Sequence, residues 1–235
     1  ISFTLIDIKT SGGSNPGSLF VTSGGVLYLR ATRNDGAELF KSTDGSTFTQ
    51  VKNINSSGDS SPSNFVEFGG AVYFSANDGT TGFELWKTDG TGGGTSRVAD
   101  IYSGAKGASP SDFIVHHGKL YFTADDGIHG RELWLTDGTT TALFKDIFPG
   151  AVGSGLGSFV LLDNGTPDTG DDILYFAASD GVNGMEVWML GTGVASATIT
   201  PPGDHNDISI TAGTVIGGVT IKIVDDATLT GTTNE

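Results

Sequence analysis

The sequence contains no cysteine. That excludes disulfides, thiol nucleophiles, cysteine zinc sites and iron–sulfur clusters. Basic residues are scarce as well: 12 Lys and Arg stand against 27 Asp and Glu, for a formal net charge of −15. Phosphate binding needs clustered Lys and Arg, so no nucleic-acid partner is expected. The same deficit argues against an anionic membrane surface. No apolar run approaches the ~18 residues of a membrane-spanning segment, so no membrane insertion is expected. No stretch sustains a helical period. A Gly-x-Ser-x-Gly elbow, a phosphate loop opening a helix and a dinucleotide fingerprint are all absent. The chain begins at Ile1 without a signal sequence, which is the pattern of a processed chain or a piece of a longer gene product.

What the chain has is glycine, 37 in 235 residues, together with 14 Phe and 3 Trp. The apolar content is enough for a packed core, so global disorder is excluded. An acidic, cysteine-free composition rich in Thr, Gly and Asp fits an extracellular or cell-surface bacterial protein.

Internal repetition decides the organisation. Ala71-Val-Tyr-Phe-Ser-Ala-Asn-Asp-Gly79 is followed by Glu84-Leu-Trp-Lys-Thr-Asp-Gly-Thr91. Lys119-Leu-Tyr-Phe-Thr-Ala-Asp-Asp-Gly127 is followed by Glu132-Leu-Trp-Leu-Thr-Asp-Gly-Thr139. Ile173-Leu-Tyr-Phe-Ala-Ala-Ser-Asp-Gly181 is followed by Glu186-Val-Trp188, and a degenerate first copy spans Val26–Phe40. Tyr28, Tyr73, Tyr121 and Tyr175 stand 45, 48 and 54 residues apart, whereas Phe20, Phe65, Phe113 and Phe159 stand 45, 48 and 46 apart. The long last gap therefore comes from an insertion, Asp163–Asp172. An Asp/Asn-Ile pair precedes each copy: Asp7-Ile8, Asn53-Ile54, Asp100-Ile101 and Asp146-Ile147.

Each unit of about 47 residues reads as four short strands with turns at Gly69-Gly70, Asp78-Gly79 and Asp89-Gly90. The second strand is apolar on both faces, as expected for a sheet packed between two neighbours. The fold class that follows is all-β: a four-bladed β-propeller of four-stranded repeats with a C-terminal β-hairpin extension. Residues 1–190 form the propeller, with repeats at about 9–54, 55–101, 102–147 and 148–190, closed by the strand Phe3–Ile8 against the last sheet. An open half-ring that pairs with another chain to make eight blades is the alternative. Residues 191–235 read as a linker and β-strand extension, with strands at 207–211 and 219–224.

Glu84–Thr91 and Glu132–Thr139 resemble the ELWxxDGT repeat of large bacterial secreted and surface proteins. The resemblance covers about residues 1–190. Copy one departs from it, with Phe40 for Trp and one extra residue before Asp44-Gly45. Copy four departs further, losing the Asp after Trp188. The resemblance implies an extracellular repeat module and carries over no catalytic residue.

Candidate sites are few. Glu84, Trp86, Glu132, Trp134, Glu186 and Trp188 form the repeat core. Repetition in every blade favours packing between blades over Trp faces offered to sugars. Calcium is the candidate cofactor, because hard cations take loop carboxylates and carbonyls. Its candidate ligands are Asp163, Asp168, Asp171 and Asp172 in the insertion, and Asp125 with Asp126 near Glu132. The insertion does not match the spacing of a helix-loop-helix calcium site, and Asp-Gly turn chemistry is the simpler account of Asp125 and Asp126. His116 and His117 are poorly placed for a shared zinc ion, since adjacent strand residues point to opposite faces.

The expected function is a non-enzymatic binding or adhesion module presenting loops to a protein or glycan ligand, or to copies of itself. The alternatives are a subunit of a self-assembling surface layer, with the C-terminal strands contacting a neighbour, and a glycan-active enzyme. No catalytic residue is identified.

Overall fold

The computed structural model describes residues 5–9, 12–162, 172–191 and 219–223, the last for the backbone only. The described residues form four antiparallel sheets of four strands and no helix. The first sheet holds β1 (Gly17–Val21), β2 (Leu27–Arg33), β3 (Gly36–Ser42) and β4 (Thr49–Lys52). The second holds β5 (Ser63–Phe68), β6 (Ala71–Asn77), β7 (Phe83–Thr88) and β8 (Ser96–Ala99). The third holds β9 (Ser111–His116), β10 (Lys119–Asp125), β11 (Arg131–Thr136) and β12 (Thr141–Lys145). The fourth holds β13 (Gly157–Leu162), β14 (Ile173–Ser179), β15 (Met185–Gly191) and β16 (Val219–Ile223). The all-β, propeller-like class expected from the repeats is the fold observed.

The strands form where β-branched and aromatic residues crowd both faces. In β6 and β10 every residue between the two ends is buried. Such a strand is stable only between two layers, and the cores show which layers these are. Tyr28 and Leu39 of the first sheet pack on Val72, Phe74, Ala76 and Trp86 of the second. Tyr73 and Leu85 of the second sheet pack on Leu120, Phe122, Ala124 and Trp134 of the third. Tyr121 and Leu133 of the third sheet pack on Leu174, Phe176, Ala178 and Leu190 of the fourth, with Trp188 beside them. The same pair of faces therefore meets three times. The first strands also touch in order: β1 on β5, β5 on β9 and β9 on β13.

Each first strand carries a bulge before it pairs. The bulge places Val66 opposite Tyr73 and Ile114 opposite Tyr121, and it places Phe20 opposite Tyr28. Leu19, not Phe20, thus stands where Phe65 and Phe113 stand in their sheets. The 45-residue spacing from Phe20 to Phe65 is a one-residue misalignment that sequence spacing alone does not reveal.

The closing strand differs from expectation. β16 pairs with β15, setting Ile223 opposite Val187. Lys145 faces Leu133, Ala99 faces Leu85 and Lys52 faces Leu39 in the same way. One edge accepts one strand, and the alternating segment Val219–Ile223 takes the place assigned to Phe3–Ile8. Of that segment, residues 5–8 carry no strand, and 3–4 lie outside the described residues. Ile8 instead packs on Leu29, Ala31 and Phe40 of the first sheet, as Ile54 packs on the second. The tail is thus a component of the fourth sheet. Its other expected strand, 207–211, lies outside the described residues.

Candidate functional site

The repeated Glu–Leu–Trp segment was the foremost sequence candidate, and its geometry assigns each residue a task. The Glu38, Glu84 and Glu132 side chains are fully buried. Glu84 accepts hydrogen bonds from the backbone N–H groups of Ile101 (2.9 Å), Tyr102 (3.0 Å) and Ala108 (3.0 Å). Glu132 accepts from Ile147 (3.0 Å) and Phe148 (3.3 Å). Glu38 accepts from Ile54 (2.7 Å), Asn55 (3.4 Å), and the Ser60 N–H (3.1 Å) and hydroxyl (2.7 Å). Each carboxylate thus ties down the loop that leads into the next sheet, and buried donors demand such partners. Burial pushes all three carboxyls above their ordinary range, opposed by these hydrogen bonds. Carboxylates enclosed by backbone amides in this way are not placed to meet a substrate.

Trp86 and Trp134 are buried in the cores between sheets. Trp188 donates its indole N–H to the Ala178 carbonyl at 3.0 Å and stacks on Phe176. None is a free platform for sugar stacking. The Asp-Gly-Thr turn completes the motif. Asp89 accepts from the N–H and hydroxyl of Thr91, both at 2.8 Å. Asp137 accepts from the Thr139 (2.9 Å) and Thr140 (2.7 Å) N–H groups. Gly90 turns with φ 90° where a Cβ would lie 2.7 Å from the Tyr28 hydroxyl of the preceding sheet. Burial, with Asp89 second, raises the Tyr28 phenol, and burial followed by Asp137 raises Tyr73.

The calcium candidates divide. Asp163, Asp168 and Asp171 lie outside the described residues. Asp172 is buried. Asp125 accepts from the Gly127 N–H at 2.7 Å. Asp126 accepts from the Ile128 and His129 N–H groups, both at 2.8 Å, and its other oxygen meets the His129 ring at 2.7 Å. The Asp125 and Asp126 turn is therefore hydrogen-bonded within itself, and Glu132 is turned to the backbone. Among the described residues no group of three or more His, Asp or Glu side chains is arranged to hold a metal ion. The His116 and His117 rings lie 3.6 Å apart, closer than strand alternation suggests, because His117 leaves the strand with φ 47°.

One arrangement was missed. The second residue of each first strand is polar and left-handed: Ser18 (φ 49°), Asn64 (φ 56°), Asp112 (φ 54°) and Ser158 (φ 59°). Non-glycine residues adopt this conformation at a cost, and such strain gathers at functional positions. Since the first strands pack in order, the four side chains form one row across the sheets, with Asn64, Asp112 and Ser158 exposed. The Asn64 amide donates to the Pro110 carbonyl at 3.2 Å, joining the second and third sheets. One Asp112 oxygen accepts from the Ser111 (2.8 Å) and Thr123 (2.9 Å) hydroxyls. The Arg131 guanidinium holds those hydroxyls from behind, at 3.2 and 2.8 Å. The signal was present in the sequence: a polar residue precedes Phe65, Phe113, Phe159 and Leu19 alike.

No family model and no curated protein matches the chain. Among solved structures it is similar to an endo-1,4-β-xylanase from Bacteroides thetaiotaomicron, with 15% identity and a TM-score of 0.35 over 94% of this chain and 75% of that one. It is also similar to a family 117 glycoside hydrolase from Zobellia galactanivorans, with 13% identity and a TM-score of 0.32 over 74% of this chain and 68% of that one. Both titles name enzymes, so the first-ranked expectation of a non-enzymatic adhesion module, with its surface-layer alternative, is corrected. At these values the likeness assigns no residue a role.

Proposed function

We propose that the chain is glycan-active and that it engages a neutral glycan over the polar row of Ser18, Asn64, Asp112 and Ser158. The observation that carries the reading is the row itself: a hydrogen-bonding side chain at the same strained position of every sheet. Hydroxyls, an amide and a carboxylate match the alternating donors and acceptors of sugar hydroxyls. The net charge of −15 disfavours phosphorylated or otherwise anionic polymers. Glycoside cleavage employs a pair of carboxyl groups. Asp112 is the carboxylate of this row; it is exposed, and the Ser111 and Thr123 hydroxyls both go to one of its oxygens.

The test is release of reducing ends from neutral polysaccharides, β-1,4-xylan among them, together with affinity electrophoresis in the same polymers. Retardation or product that Asp112→Asn and Asn64→Ala reduce together supports the reading. Neither binding nor product from any neutral glycan would sink it.

A further inference from the structure

Two equivalent clefts open where neighbouring sheets meet, at the opposite end of the first strands from the polar row. Asn64 of the row is the second residue of β5, and Phe68 at the cleft is its last. One cleft lies between the first and second sheets, among Tyr28, Glu67 and Asp89, and holds about 160 Å³. The other lies between the second and third sheets, among Phe68, Tyr73, Lys87, Asp89 and Asp137, and holds about 460 Å³. Small-molecule sites run from about 300 to 1,000 Å³, so of the two only the second is large enough.

The difference has a local cause. Glu67, opposite Val72, crosses the first cleft: its carboxylate accepts from the Ser23 N–H (2.6 Å) and hydroxyl (3.0 Å) of the first sheet. Val115, opposite Leu120, takes that place in the third sheet and has no polar group to span the second cleft. The facing turns differ in the same sense. A methyl group on Gly90 would lie 2.7 Å from the Tyr28 hydroxyl and 3.3 Å from the Lys41 Nζ. One on Gly138 would lie 3.5 Å from the Tyr73 hydroxyl, with no lysine within 4 Å.

The open cleft keeps polar groups without partners. Tyr73 is 3% exposed, and among the described residues its hydroxyl has no hydrogen-bond partner. Lys87 stands directly across the strand pair from Tyr73 and makes neither an ion pair nor a hydrogen bond among the described residues. Directly opposed residues share a face of the sheet. Asp89 and Asp137 are exposed, and their turn bonds all go to Oδ1. Burial, with Asp137 second, raises the Tyr73 phenol, which stays a donor at neutral pH. Two donors and two acceptors beside the Phe68 and Tyr73 rings suit a neutral sugar, whose hydroxyls both donate and accept. An anion would meet two carboxylates there, and a cation would meet Lys87. We infer that the cleft between the second and third sheets binds one neutral sugar residue, free or at the end of a chain, with Tyr73 and Lys87 donating to it. This site is separate from the polar row and does not depend on it.

The test titrates the full chain with D-glucose, D-galactose, D-mannose and D-xylose, and with the β-1,4-linked trimer of each, read by saturation-transfer NMR and calorimetry. At least one of these sugars is expected to bind, and Tyr73→Phe and Lys87→Met should each weaken it about fivefold or more. Tyr28→Phe makes the same change in the closed cleft and should leave binding unaltered, as should Asp112→Asn in the row. Circular dichroism checks that each variant folds. Binding of a monomer identifies a free sugar and binding of a trimer alone identifies a chain end, and either supports the inference. Silence from all of these sugars would overturn it. Equal weakening by Tyr73→Phe and Tyr28→Phe would do the same, as the mark of a general loosening between sheets. Binding that Asp112→Asn alone weakens would also overturn it, while leaving the reading of the row in place.

Discussion

Leu133 and Val187 occupy the same register in neighbouring sheets, one sealed and the other half in water. Glu132 and Glu186 differ likewise: one carboxylate holds two backbone amides and the other holds none among the described residues. The comparison separates what a repeat sequence encodes from what its surroundings supply. A strand with two apolar faces encodes an interface, but only a neighbour on each side converts both faces into stability. Among the described residues the third sheet has both neighbours and the fourth has one.

The largest expected contrast is in apolar truncation. Leu133→Ala removes a buried side chain between two sheets and should cost about 2–5 kcal/mol. Val187→Ala, in dilute protein, should stay within about 0.5 kcal/mol. Urea unfolding of the two variants measures both, and equal losses would mean that the outer face of the fourth sheet is already covered. The carboxylates should follow at smaller scale. Glu132→Ala strands the Ile147 and Phe148 N–H groups, at roughly 1–3 kcal/mol, whereas Glu186→Ala should leave the dilute unfolding midpoint unmoved.

Much of this was legible in the sequence. The Tyr28, Tyr73, Tyr121 and Tyr175 spacing and the paired Asp-Gly turns located the sheets, because hairpin turns and two-faced apolar strands have strong local signatures. The task of Glu84 and Glu132 was legible only in part. A Glu repeated in every unit suggested structure, but the partners of Glu84 and Glu132 lie 15 to 24 residues downstream and meet them only after the sheets stack. The row of Ser18, Asn64, Asp112 and Ser158 went unseen because a bulge shows in a ladder and not in a composition. The closing strand was misassigned for a thermodynamic reason: Phe3–Ile8 and Val219–Ile223 are both alternating segments, and local pattern does not rank two candidates for one edge.

The buried glutamates also give the second and third sheets a pH response. Their folded values lie above their unfolded ones, chiefly through burial. A group raised in this way contributes its full stability below the unfolded value and loses it as pH rises through the folded value. Wild type should therefore lose stability relative to Glu132→Gln as pH rises above the ordinary glutamate value of about 4.5. The turn aspartates run the other way. Burial opposes ionisation of Asp78, but four hydrogen bonds from Thr80 and Thr81 outweigh it and hold the group at about 2. Their contribution is lost only in stronger acid, so the two effects occupy separate windows. Thermal melts of both proteins at pH 2.5, 4, 5.5 and 7 resolve them, and a gap independent of pH above 4 would show that Glu132 does not titrate on unfolding.

The smallest effect concerns the turn at Asp126, where a calcium reading and a turn reading make opposite forecasts. Asp126 already accepts two backbone N–H groups and meets the His129 ring. Those bonds use both oxygens, and they hold the carboxyl below its ordinary range against the cost of burial. A calcium ion at Asp126 would compete with the His129 ring for the oxygen that it meets. Asp126→Ala should therefore lower stability by about 1 kcal/mol through the lost turn bonds, with the same loss in calcium and in chelator. His129 should carry the complementary signature, since its hydrogen bond to Asp126 raises its ring pKa. The His129–Asp126 pair contributes fully below the ordinary histidine value and fades as pH rises through the raised one. A loss on Asp126→Ala that calcium enlarges, because only the parent binds the ion, would replace the turn account with a metal site.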